Sequence, residues 1–425
     1  MDRVSVTVPP GGLRTVSRTI ELRDPSLWWP RGVGDQHRYT VRAKFDDDVT
    51  SATTGLVTVT ETADGLAVNG EQFPVRGVTV QDGTIADVER AVEVNANLVR
   101  AHAHLLSPTV YEACDAAGLL VWQDLPLTGP GGFDVERGRA IAQRVAETYA
   151  RHPSLSAFAV HDEPTALFGD RVGSGFLDRL RFRWRVWRSN YDPTAAGTIA
   201  GAFPDDRPVY PVVGEPGTDP DAAALYPGWD YGSADDLAWV RDRFNLGDIV
   251  GEFGAGALAD DDDPDDLSGF DRVKHDALVD GDHEASQSYQ AEVVRSVAEQ
   301  FRIDGTGVTV ANALRDTGDA GMGVYDRDGD PKTAADALAT AFEPIVALVS
   351  DPTPGETDLV VVNDTPRNIT AELVWAAGDA GNRLDVTVGK AGRAVVDTVE
   401  LPENAESVTL ELTVADATVQ SEYRL

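Results

Sequence analysis

Lysine is scarce in this chain. Lys44, Lys274, Lys332 and Lys390 are the only four, so 32 of the 36 basic residues are Arg, and they face 71 acids, 49 of them Asp. The formal net charge is −35. A surface this negative repels nucleic acid and anionic membranes, which bind through basic patches. Cysteine is almost missing too. Cys114 has no second thiol to pair with, so no internal disulfide braces the fold, and its place on the apolar side of a predicted helix suits a small core residue. No apolar run reaches the length of about 18 residues that a membrane-spanning helix needs, and no signal-peptide pattern precedes residue 30. These absences give the expectation of a cytoplasmic chain that spans no membrane.

What is present is an ordinary globular balance. Of 425 residues, 42% are hydrophobic and 25% charged, so the acidity does not signal disorder, and the length suits two to four domains. An Asp-rich, Lys-poor surface fits molar salt, where screening over about 3 Å removes the self-repulsion. An acidic, cation-binding surface in ordinary salt is the alternative.

Three patterns succeed one another. Residues 1–62 read as short β-strands at 4–8, 18–22, 39–45 and 56–62, too few for a free-standing sandwich and so a partial β-domain. Residues 63–349 alternate strands with helices. Strands are predicted at 73–80, 97–102, 119–123, 155–161, 209–213, 224–229, 248–253 and 308–314, with helices at 85–94, 108–117, 135–149, 174–189, 235–243 and 286–301. Eight strands in a stretch of this size predict a (β/α)8 barrel. Residues 355–425 return to alternating strands and read as a C-terminal β-sandwich.

A barrel carries its functional side chains at the C-terminal ends of its strands. That rule selects Arg100 and His102, then Trp122, Gln123 and Asp124, then His161, Asp162 and Glu163, and finally Glu252. Two carboxylates from different strands are what a retaining glycosidase needs: one protonated as general acid, the other ionised as nucleophile.

Local sequences extend this. Leu27-Trp28-Trp29-Pro30-Arg31-Gly32 resembles the end of the immunoglobulin-like domain that precedes the barrel in family 2 glycoside hydrolases. Val75-Arg76-Gly77-Val78, Asn97-Leu98-Val99-Arg100 and Trp122-Gln123-Asp124 resemble its first three barrel strands. Arg151-His152-Pro153-Ser154 leading to Glu163 resembles its acid/base segment, and Gly251-Glu252-Phe253-Gly254 its nucleophile segment. The Trp-Gln-Asp segment and the C-terminal β-domain lean toward the β-mannosidase branch. The resemblance implies a barrel flanked by immunoglobulin-like β-sandwiches, the first partial, and retaining exo-β-glycosidase activity without metal or cofactor. It implies Glu163 as acid/base and Glu252 as nucleophile, with Arg100 bonded to the nucleophile carboxylate. His102, Trp122, Asp124, Asp162, Tyr226, Trp229 and Asn312 complete the candidate carbohydrate site.

The chain also departs from that pattern. Asp162 stands where the family carries Asn, and an ionised Asp beside Glu163 only accepts hydrogen bonds and adds negative charge. Residues 310–314 lack the aromatic that floors the sugar site in the β-mannosidase branch; Tyr226, Trp229 or Tyr231 are the candidate substitutes. The family's N-terminal sugar-binding sandwich has no counterpart in this sequence, and three expectations stay open: a short gene, a chain that starts late, or a second polypeptide or oligomer contact that completes the front β-domain. A catalytically degenerate barrel serving as a carbohydrate-binding or assembly module is the alternative function.

The remaining features read more plainly. The Asp run at 260–266 suits a solvated loop better than a calcium site, since it lacks the Gly and Glu spacing of a calcium loop. His104 suits loop packing. Arg179, Arg181, Arg183, Arg185 and Arg188, interleaved with Trp184 and Trp187, suggest salt bridges to neighbouring Asp, with a partner surface as the alternative.

Overall fold

The computed structural model describes residues 3–189, 191–244, 246–259, 271–279, 282–317 and 321–425. Its centre is a closed barrel of parallel strands: Val75–Val80, Leu98–Ala101, Leu120–Asp124, Leu155–Asp162, Val209–Gly214, Ala222–Leu225, Ile249–Phe253 and Val308–Ala311. The eighth pairs with the first, Val308 opposite Val75 and Ala311 opposite Val78, which closes the ring. Each observed strand overlaps a predicted one. The sixth is the most displaced, ending at Leu225 where 224–229 was expected.

Helix starts follow from local chemistry. Thr84 and Asp87 form a reciprocal capping box ahead of Ile85–Glu93. Ser107 caps Pro108–Ala117 with Pro at its first position, and Gly118, at φ 76°, ends it in the left-handed conformation that glycine adopts without strain. Helices Val135–Tyr149, Phe176–Ser189, Ala234–Arg243 and His283–Asp304 also lie where the periodicity placed them. Thr194–Ala200, Arg272–Asp276 and Thr333–Ala341 were not anticipated. The first two are too short to set up a 3.6-residue apolar period.

The front region differs from expectation. Tyr39–Phe45 and Asp48–Thr54 pair as an antiparallel hairpin, but residues 4–8 and 18–22 form no strand and lie exposed. With only one hairpin there, neither segment has a facing sheet against which to bury its alternate residues. Val59–Thr62, Gly65–Val68 and Glu71–Gln72 make a small sheet instead. Its Val59, Leu66 and Val68, with Trp28 and Phe73, pack against Leu98, Leu120 and Val308 at the starts of the barrel strands. Trp28 is fully buried and its indole N–H donates to the Asp115 carbonyl at 2.9 Å.

The C-terminal sandwich begins earlier than the expected residue 355. Ile345–Val349 pairs with Gly355–Asn363, which pairs with Gly392–Leu401. The facing sheet runs Ala380–Val388, Ile369–Ala377, Ser407–Val414, Ala417–Arg424. Between them lie Leu359, Val361, Leu373, Trp375, Leu410 and Leu412. Sandwich and barrel are joined by a buried ionic node: the Asp364 carboxylate accepts from Arg302 at 2.8 Å and from Arg76 of the first barrel strand. Burial pushes the Arg76 guanidinium down to about 10 despite that carboxylate. The Asp run at 260–266 lies outside the described residues.

Candidate active site

Arg100, on the second strand, is fully buried beneath the C-terminal mouth of the barrel. Its Nε and Nη2 donate to Asp124 at 3.2 and 2.7 Å, Nη2 also to Asp162 at 2.7 Å, and Nη1 to the Gly251 carbonyl at 3.0 Å. Nη1 lies 2.9 Å from Glu252 Oε1, so one guanidinium serves three buried carboxylates. His102, two residues on, brings Nδ1 to 3.0 Å from the same Glu252 oxygen. The Tyr226 hydroxyl donates to Glu252 Oε2, and Asn312 Nδ2 donates to the Tyr226 oxygen at 3.0 Å. Gly254 lets the seventh and eighth strand ends come together, since a Cβ there would strike the Asn312 carbonyl.

Glu163 is presented differently. The fourth strand ends at Asp162, and Glu163 turns out of it at φ 43°, a left-handed conformation costly for a side chain with a Cβ. Its N–H is held by the Val213 carbonyl at 2.8 Å. Glu215, buried on the next loop, fastens the chain that follows, accepting from the Thr165 hydroxyl at 2.6 Å and from the Leu167 N–H at 2.8 Å.

The two glutamates are in opposite electrostatic states. Burial, together with the charges of Glu252, Asp162 and Glu215, raises the Glu163 carboxyl well above its usual range. Burial also opposes ionisation of Glu252, but Arg100, His102 and the Tyr226 hydroxyl outweigh it and hold that carboxyl down at about 2. His102 is pushed up to about 9: burial favours its neutral form, and the charges of Glu252 and Asp162 overcome it. Asp162 rises to about 6 through burial and the nearby Glu252 charge.

Glu163, Glu252, His102, Tyr226, Trp229 and Asn312 all line one cavity of about 300 Å³ at the barrel mouth. The other four candidates do not. Trp122 is fully buried in the barrel interior, 4.6 Å from the Tyr210 ring and stacked under the Arg100 guanidinium at 5.1 Å. Arg100 sits behind Glu252 and holds it by charge, while Asp124 and Asp162 share the same guanidinium. A position at a strand end fixes height in the barrel but not whether the side chain points at the ligand or into the packed interior, and the sequence carries no signal for that choice. Cavity residues not picked out from sequence are Gln81, Pro227, Asp230, Ala255, Gly256 and Met322. Tyr231, weighed as a platform, lines it too, its ring stacked on Phe168 at 4.0 Å. His104 packs a loop as expected, its Nε2 accepting from the Gly83 N–H at 3.3 Å.

His102, Asp162 and Glu252 each bring a ligand-type atom within 4.8 Å of the others. A metal ion there would meet the Arg100 guanidinium and a His102 ring that its neighbours hold protonated, so the donor set fits a cation poorly.

No family model matches the chain. Over 140 residues it is 29% identical to an exo-beta-D-glucosaminidase of Hypocrea jecorina, covering 28% of this chain and 15% of that protein. Over 215 residues it is 25% identical to beta-mannosidase A of Aspergillus terreus, covering 41% of this chain and 23% of that one. The crystal structure of a beta-D-mannosidase from Dictyoglomus thermophilum superposes on 95% of this chain at a TM-score of 0.69 and 17% identity. The chain is family 2 glycoside hydrolase-like. It spans 58% of that solved β-mannosidase, and its alignments reach less than a quarter of the curated relatives' lengths.

Proposed function

We propose that this chain is a retaining exo-β-glycosidase of the β-mannosidase type. The observation that carries the reading is the opposite surroundings of two glutamates lining one cavity: Arg100, His102 and Tyr226 converge on Glu252 and favour its ionised form, whereas burial among other carboxylates favours the protonated form of Glu163. In the first step Glu252 attacks the anomeric carbon while Glu163 gives its proton to the departing glycosidic oxygen. In the second, Glu163 as carboxylate takes a proton from water, and that water displaces Glu252 from the sugar. Arg100, His102 and Tyr226 keep Glu252 ionised between turnovers. Asn312 Oδ1, buried in the cavity wall without a partner among the described residues, is left to accept from a sugar hydroxyl. A cavity of about 300 Å³ is at the small end for ligand sites and suits one terminal sugar ring.

The relatives' names direct the choice of substrate: β-mannoside and β-glucosaminide first, β-glucoside and β-galactoside as controls. The acidic surface, net −35, supports a working milieu of concentrated salt and gives no purchase to nucleic acid. The hairpin at residues 39–54, exposed along nearly its whole length, is the surface on which a second polypeptide or copy would complete the front β-domain. No described helix is long and apolar enough to cross a membrane. The test is an aryl-glycoside panel in about 2–4 M KCl, where screening is complete within a few ångströms. Release of nitrophenol from one β-glycoside supports the assignment. Silence across the panel from folded protein overturns it in favour of a carbohydrate-binding or assembly module.

A further inference from the structure

Helix Phe176–Ser189 is built to meet something outside this chain. Phe182 is its one buried residue, packed against Phe168, Trp239 and Phe244. At 100° per residue, the face opposite Phe182 carries Leu177, Leu180, Trp184 and Trp187, spaced by three, four and three residues. That face is open: these four side chains are 62%, 53%, 52% and 78% exposed. The spacing is that of a helix–helix seam, with apolar knobs at alternate intervals of three and four.

The edges of the seam are charged against the rest of the molecule. Arg181 and Arg188 lie along one side and Arg183 along the other, in a helix with five Arg and one Asp on a chain of net charge −35. The expected salt bridges to neighbouring Asp are few. Arg181 reaches only Asp178 of its own helix, at 3.4 Å, and Arg185 reaches Asp170 at 4.0 Å. Arg183 and Arg188 have no carboxylate partner among the described residues; Arg188 lies over the Trp184 ring at 5.2 Å.

We propose that this face docks an amphipathic helix of another polypeptide, one whose apolar stripe is flanked by Asp and Glu. Charge complementarity selects that occupant. A second copy of the same helix would set Arg against Arg across the seam, and an anionic bilayer would be repelled by the remaining acidic surface. Leu177 and Leu180 offer a sugar chain no planar stacking surface, which argues against a polysaccharide platform.

The test uses the full chain and two synthetic three-heptad peptides with Leu at the seam positions, one flanked by Glu and one by Lys. Binding is read by anisotropy of labelled peptide at the lowest salt in which the chain stays folded. The Glu-flanked peptide is expected to bind about tenfold more tightly, the effect of roughly three surface ion pairs. The variant R181E/R183E/R188E should reverse the preference, and Leu180→Asp with Trp184→Asp should abolish binding of both peptides. Because all five positions are exposed, an unchanged circular dichroism spectrum and unfolding midpoint confirm that these variants fold. The proposal is overturned if neither peptide binds, if both bind equally, or if the seam variant binds as well as the parent. It is overturned equally if light scattering shows a dimer that Leu180→Asp dissociates, or if vesicles of anionic phospholipid capture the chain through this seam.

Discussion

Replacing Arg100 with Met should destabilise the barrel strongly at neutral pH and much less in acid. The guanidinium is fully buried and lies 2.7 Å from Asp124, 2.7 Å from Asp162 and 2.9 Å from Glu252, each of which is at most 1% exposed. Methionine fills similar volume but leaves three buried carboxylates with the His102 ring as their remaining cation. Removing one partner of a buried ion pair costs about 3–5 kcal/mol, and here one cation serves three anions. The pH dependence follows from Glu252. Its carboxyl is held from 4.5 down to about 2, which contributes about 3 kcal/mol of stability at neutral pH. For a depressed carboxyl, that stability is fully present above about pH 4.5 and is lost as pH falls through about 2. The Met variant raises this carboxyl, and Asp162, already near 6, rises further, so both take up protons on mild acidification and the penalty shrinks. Urea unfolding followed by tryptophan fluorescence, at pH 7 and pH 4 in constant KCl, measures both values. A loss below about 1 kcal/mol at pH 7, or the same loss at both pH values, would refute the electrostatic reasoning.

Tyr226→Phe removes the hydroxyl that donates to Glu252 and should raise that carboxyl, moving the acid limb of kcat/KM to higher pH. A hydrogen bond to a charged group is worth about 1.5–3 kcal/mol, so kcat/KM should fall roughly 10- to 100-fold, and an unmoved acid limb would contradict the assigned role. Asp364→Asn strips the carboxylate shared by Arg76 and Arg302 and should cost about 3–5 kcal/mol in thermal or urea unfolding; a loss under about 1 kcal/mol would show that the node is not what joins barrel and sandwich. The unfolding midpoint should climb as KCl rises from about 0.1 to 2 M and the screening length contracts from about 10 Å to a few ångströms, whereas a flat profile would remove the case for salt adaptation.

The barrel was readable from sequence because each of its strands is a short apolar run bounded by turn residues, and most are followed by a capped helix. The front β-region was not, because alternation at 4–8 and 18–22 specifies a strand only when a neighbouring strand accepts its hydrogen bonds. Of the site, the two glutamates and Arg100 were legible through their strand-end positions and local motifs. Their division of labour and the Arg100 contact were implied by the family resemblance; the convergence of His102 and Tyr226 on the same carboxylate was not, since it depends on strand ends and loops far apart in the sequence. Trp122 and Asp124 show the converse: motif residues at the right height that face the packed interior and the guanidinium. Tyr226 was read as a stacking surface, and the structure gives it a hydrogen bond to Glu252 instead, a contact set by the short reach between the sixth and seventh strand ends. Glu215 left no sequence signal, since its carboxylate serves the backbone N–H groups of Leu167 and Phe168, 48 and 47 residues away in the chain.

The central claim is that Glu252 is the nucleophile. It is tested most directly by incubating the folded chain with an activated 2-deoxy-2-fluoro-β-glycoside of the sugar it hydrolyses, then mapping the trapped adduct by peptide mass spectrometry. One fluoro-sugar per chain on the peptide containing Glu252, with turnover lost in step and no adduct in Glu252→Gln, is the expected result. Undiminished turnover, or an adduct on any other residue, would contradict it.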